Sequence, residues 1–142
     1  MEELLELKQL VQSGETTAAL ALINELETMS KEDKINKIYS YCIVLLVHLI
    51  KQQTEARSTN FWEVSIRNAI NAIERINKPR KAGGYYVSQP DLQEILVEAY
   101  DRALDNASLE AFGGIYDAVN LAEKVDRDAI INQTLKLINF ID

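Results

Sequence analysis

Apolar residues recur at three- and four-residue steps along nearly the whole chain, the spacing of one face of an α-helix. In "EELLELKQLV" the set Leu4, Leu7, Leu10 and Val11 falls on one face, and Ser13-Gly14 ends the pattern. "TTAALALINELETM" carries a second stripe: Ala19, Leu22, Ile23, Leu26 and Met29. Ser30 stands three residues before Asp33, a capping-box-like spacing that predicts a fresh helix from Lys31 to about Glu55. Its first half is amphipathic through Ile35, Ile38, Cys42, Leu45 and Leu49. From Tyr41 onward Ile43, Val44, Leu46, Val47 and Ile50 fill the other faces as well. A helix that is apolar all round is buried on all sides, so this segment reads as the central helix of a bundle, or as one covered in part by a second subunit.

"ARSTN" breaks the period, with Thr59 or Asn60 as the next cap. A helix from about Phe61 to Asn77 should turn Trp62, Ile66, Ala69, Ile70, Ile73 and Ile76 inward. "KPRKAGGYYVSQP" is a loop, opened by Pro79 and closed by Ser88, which has Asp91 at capping-box distance. The following helix, about Pro90 to Asn106, should bury Leu92, Ile95, Leu96, Ala99, Ala103 and Leu104. After Gly113-Gly114 come two shorter helices, about 115–125 and 128–141, with stripes Ile115/Ala118/Val119/Ala122 and Ile131/Leu135/Ile138. No period-two run and no internal repeat stands out. The expectation is one all-α domain over residues 1–142, a helical bundle of about six or seven helices around a long central apolar helix at about 31–55.

An ordered set of short motifs carries a family resemblance. "ELETMS" precedes the helix ending "LLVHLIK"; then Trp62, Glu63, Val64, Ser65 and Ile66 open the next helix, and "PDLQEILVEAYDRAL" places Tyr100 on an acidic helix. Over roughly residues 12–108 this resembles the largely cyanobacterial family known as domain of unknown function 29. Gln52 stands where the family usually has tryptophan, and Phe61 where a small hydroxyl residue often precedes the tryptophan. The family's typical C-terminal ending is not visible after Asn106, so the 109–142 segment lies outside the resemblance. The resemblance implies an all-helical domain; it implies no activity and supplies no catalytic residues.

Composition narrows the partners. The 142 residues carry 15 basic and 22 acidic side chains, a formal charge of −7 that repels nucleic acid and anionic membranes as a whole. The apolar run at 41–50 is too short for a bilayer, which needs about 20 residues. The acidic start lacks the cationic opening of a secretory leader. Cys42 is the single cysteine and cannot form an internal disulfide. A cytoplasmic protein follows as the expectation.

Candidate chemistry is sparse. His48 is the only histidine and lies inside the apolar run, with Val44, Leu45, Lys51 and Gln52 as its one-turn neighbours. Catalysis by histidine needs a partner within hydrogen-bond reach, and zinc needs three or four ligands. The first arginine is Arg57, so the Arg-before-His arrangement of HEPN-type nucleases is absent. A core histidine bonded to a backbone carbonyl, a carboxylate or a tyrosine is the simpler reading. Trp62 could wall a pocket around it. Glu94, Glu98 and Asp101 follow one another on an acidic helix face, and no Glu-x-x-His metal motif occurs. The loop and its approach combine Arg75, Lys78, Arg80 and Lys81 with Tyr85 and Tyr86, a set able to hold phosphate and stack bases, although it matches neither Walker A nor a dinucleotide fingerprint.

No catalytic residue, metal site or cofactor is expected from these patterns. The expected function is non-enzymatic protein–protein contact, with self-association to a homodimer. Nucleic-acid or phosphate binding through the 75–86 region and an enzyme with a pocket around His48 are the alternatives.

Overall fold

In a computed structural model of the chain, all residues are described except 1, 80, 82, 141 and 142. Six α-helices follow one another: α1 (Glu2–Gln12), α2 (Thr16–Glu55), α3 (Asn60–Ile76), α4 (Gln89–Ser108), α5 (Ala118–Ala122) and α6 (Arg127–Leu137). A short 3-10 turn, Ala111–Gly114, lies between α4 and α5. No strand occurs among the described residues, so the all-helical reading holds. The chain divides into two compact units, Met1–Lys34 and Ile35–Asp142.

The N-terminal unit contains α1 and the first part of α2. The junction between them is a Schellman turn: Gly14 adopts φ +78°, the Glu15 amide donates to the Leu10 carbonyl at 2.9 Å, and the Gly14 amide donates to Val11 at 3.2 Å. Ala19 is buried in this unit, whereas α1 buries no residue at all. Leu4, Leu5, Val11, Leu20, Ile23 and Met29 are exposed, so two positions of the expected stripe, Ile23 and Met29, are not buried in this unit.

The helix expected to begin at Lys31 begins at Thr16 instead. Ser30 does not cap; it sits inside a continuous helix of 40 residues. The spacing of Ser30 and Asp33 imitates a capping box, but nothing between Thr16 and Glu55 is a glycine or a proline, and the pattern "TMSKED" is compatible with helix throughout.

In the larger unit a single apolar cluster forms around the second half of α2. Ile38, Cys42, Leu45, Leu46, Leu49 and Ile50 are essentially inaccessible and join Ile66, Ala69 and Ile73 of α3, Leu92, Leu96, Ala99 and Ala103 of α4, Leu121 of α5 and Ile130 and Ile131 of α6. Cys42 is free, and burial pushes its thiol up to about 12. The helix is nonetheless not covered all round, because Tyr41 and Val44 are exposed.

Caps follow the sequence signals elsewhere. Thr59 caps α3 by accepting from the Trp62 amide at 3.1 Å. Ser88 and Asp91 form a complete capping box at the start of α4. α4 packs against α5, α6 and the 3-10 turn. The first of the two C-terminal stripes differs from expectation, while Ile131 and Ile138 of the second are buried as expected. Ile115 and Val119 are about three-quarters exposed, and Leu121 is the residue that α5 buries. Asp117, not the apolar run before it, starts α5, its side chain accepting from the Asn120 amide at 2.8 Å. In α6, Ile130 and Thr134 join Ile131 in the interior while Leu135 is half-buried.

The 78–86 loop is closed by one side chain. Buried Asn77 donates from Nδ2 to the Val87 carbonyl at 2.8 Å, and its Oδ1 accepts from the Val87 amide at 2.9 Å. This two-way amide pairing imitates a rung of sheet. Asn77→Ala leaves both Val87 groups buried without a partner and should cost about 2–3 kcal/mol, read as a lowered urea midpoint with an unchanged slope.

Candidate functional site

A concavity of the larger unit opens beside His48. Four residues of α2, Ile43, Val44, Val47 and His48, provide one wall at helical spacing. Phe61 and Ser65 of α3 form the second, and Asn106, Leu109 and Glu110 at the end of α4 form the third. The cleft encloses about 430 Å³. It explains why α2 is apolar beyond the needs of the core: its surplus face lines a cleft. Phe61 and Leu109, 73% and 77% exposed, are apolar lips at its edge.

Backbone geometry presents the Leu109–Glu110 wall. α4 ends at Ser108, and the chain reverses through Phe112 and Gly113, at φ +52° and +68°. A Cβ on Gly114, itself at φ +79°, would lie 2.8 Å from the Leu109 carbonyl oxygen, so only glycine fits there.

His48 is 8% exposed. Its Nδ1 is shut off from water and has no hydrogen-bond partner, so the part of the ring that meets the cleft is not Nδ1. Neither a backbone carbonyl nor a carboxylate nor a tyrosine satisfies this atom. Phe61 meets the imidazole edge-on, with centroids 6.4 Å apart. Burial holds the imidazole below its ordinary value of 6.5; the Lys51 ammonium adds to this, and the Glu110 carboxylate opposes it.

Beside the cleft, Lys51 is buried, a feature that the apolar run gave no reason to expect. Its Nζ lies 3.6 Å from Glu110 Oε1 and 4.6 Å from the Trp62 ring centroid. Arg57 also lies over that ring, at 4.7 Å. Trp62 is thus buried among cations and does not line the cleft. Polar contacts tie the α2–α3 junction together: Gln52 donates to Ser58 Oγ at 2.7 Å and to Glu63 Oε1 at 3.0 Å, and Ser58 donates to Glu63 at 2.7 Å.

The basic loop set is not gathered into one site. Arg75 borders a second depression of about 370 Å³ with Tyr41, Asn68, Asn71, Ala72 and Ile76, and none of Lys78, Lys81, Tyr85 or Tyr86 lines it. Lys78 and Lys81 are exposed. Tyr85 packs edge-on against Phe140 at 5.2 Å, and Tyr86 is half-buried against the core. Arg80 lies outside the described residues. Among the described residues no group of three or more His, Cys, Asp and Glu is placed to hold a metal ion.

Residues absent from the sequence-based set complete the cleft: Phe61, Ser65, Asn106, Leu109 and Glu110. Phe61 carried a signal, an aromatic residue off the inward stripe of its own helix. The others required the tertiary fold.

A long helix with an inward apolar column, a cap-defined α3 and an acidic α4 define a helical domain of the type that the motifs suggested. The family model "Domain of unknown function DUF29" matches residues 6–115, and the chain belongs to that family. No curated protein and no solved structure matches the chain. Among the described residues no helix is long and apolar enough to cross a membrane.

The orphan imidazole nitrogen generates a stability prediction. Removing a buried polar group that lacks a partner relieves its desolvation cost, so His48→Leu should melt at or above the wild-type temperature at neutral pH. Because the folded state holds the imidazole neutral below its ordinary value, the unfolded chain binds a proton more readily, and stability falls as pH drops below 6.5. The melting temperature of wild type should therefore drop more steeply than that of His48→Leu between pH of about 7 and about 5.

Proposed function

We propose that this protein is a helical interaction domain that pairs with a second copy of itself through its N-terminal helices. One observation carries the reading: α1 buries no residue, while its Leu5 and Val11 are 62% and 63% exposed. An isolated helix of 11 residues is marginal in water and takes its stability from packing an apolar face. Leu20 and Met29 of α2 extend the exposed apolar surface in the same unit. A second copy offers the same side chains, and two helical pairs form a four-helix arrangement with two-fold symmetry. Nucleic-acid binding draws less support, since Tyr85 and Tyr86 spend their rings on internal packing. A His48 enzyme draws support from the cleft, but no ionisable group is hydrogen-bonded to Nδ1 to orient the ring.

Charge decides how such a pair responds to salt. Residues 1–34 hold eight acidic and three basic side chains, −5 of the chain's −7. Two such units repel, and salt screens the repulsion. Light scattering after size exclusion at a concentration of about 10 μM should give a dimer that tightens as salt is raised. Leu5→Gln combined with Val11→Gln should give a monomer whose thiol at Cys42 stays unreactive, the sign of an intact core. A wild-type monomer at low and high salt alike defeats the reading.

A further inference from the structure

We propose that the His48 cleft binds a neutral, ring-containing alcohol or phenol: an uncharged molecule with an apolar body and one hydroxyl group. Several independent features of the cleft converge on this class. Its 430 Å³ lies within the range of small-molecule sites, roughly 300–1,000 Å³. Ile43, Val44, Val47, Phe61 and Leu109 supply apolar wall on three sides, and the strongly exposed Phe61 offers a ring edge or face for stacking. Such walls reward a flat or alicyclic body.

The polar groups set the other end of the molecule. Ser65 contributes a hydroxyl and Asn106 a side-chain amide, groups that both donate and accept. His48 contributes an imidazole whose Nδ1 has no partner although the residue is more than nine-tenths buried. A buried polar atom without a partner is uncommon in a folded protein. His48 lines the cleft through another part of the same ring, so a hydroxyl seated there beside Ser65 and Asn106 meets an uncharged imidazole edge. A hydroxyl donates and accepts, so it suits either tautomer of a neutral imidazole; a carbonyl or an ammonium suits only one.

Charge is excluded from both sides. An anion would meet the Glu110 carboxylate in the same wall. A cation would compete for Glu110 with the Lys51 ammonium, already 3.6 Å from it and itself buried, and would leave that lysine without its counter-charge. A neutral ligand leaves the ion pair undisturbed.

This site does not depend on the self-association proposed above. The test is heteronuclear NMR titration of the full chain with β-naphthol and, in parallel, with β-naphthoate, which has the same ring system and a negative charge. β-Naphthol should give saturable shifts at Val44, His48, Ser65, Asn106 and Leu109, and β-naphthoate should bind at least about tenfold more weakly. Ser65→Leu, which fills the cleft from an α3 position, should abolish the β-naphthol shifts; Asn71→Leu, in the second depression, should leave them unchanged. Leu5→Gln/Val11→Gln should also leave them unchanged, which separates a failure of this proposal from a failure of self-association. Equal binding of the two compounds overturns the proposal. So do shifts centred on Leu4, Leu5, Val11 and Leu20, or the absence of saturable shifts up to about 1 mM.

Discussion

The larger unit depends on how the apolar column of α2 is removed from water. Ile38, Cys42, Leu45, Leu46, Leu49 and Ile50 present more apolar surface than one neighbouring helix can cover. Each such side chain contributes about 1.5–3 kcal/mol when fully buried, so the arrangement that covers most of them is strongly favoured. α3 and α4 supply much of the cover, and Leu121 of α5 with Ile130 and Ile131 of α6 joins the same cluster. What remains uncovered is a strip at Ile43, Val44, Val47 and His48, and the cleft exists because three helices enclose that strip without filling it.

The charged residues at this junction obey the same constraint. Lys51 continues the helix one turn beyond Val47 and lies too deep to reach open water. It is tolerated because Glu110 offers a carboxylate and Trp62 an aromatic face, a combination that offsets part of the cost of burying an ammonium. His48 has no such compensation at Nδ1. Tyr100, whose hydroxyl is likewise buried without a partner, shows that the imbalance is not confined to the cleft.

Much of the helical layout was legible in the sequence, because period and caps act locally. Gly14, Thr59 and Ser88 punctuate the chain where the residues indicated. Ser30 misled because a cap needs a change of backbone direction that side-chain spacing alone does not impose. Ile115 and Val119 misled because an apolar stripe does not say whether anything lies opposite it. The cleft was illegible for a physical reason: Phe61, Asn106 and Glu110 meet His48 only through the crossing of helices distant in sequence. His48 was singled out, but its lack of a partner is a property of three-dimensional closure, and no neighbour along α2 could reveal it.

The position of Trp62 has a spectroscopic consequence. It is the only tryptophan, it is buried, and cations lie over its ring, so its emission reports on the α2–α3 junction next to the cleft. The first aromatic residue of the chain is Tyr39, which leaves residues 1–34 without any ultraviolet chromophore beyond the peptide bond. Emission and near-ultraviolet dichroism therefore observe the larger unit alone, whereas far-ultraviolet dichroism sums both. A difference between the two signals along one melting curve would isolate the N-terminal helices without any label.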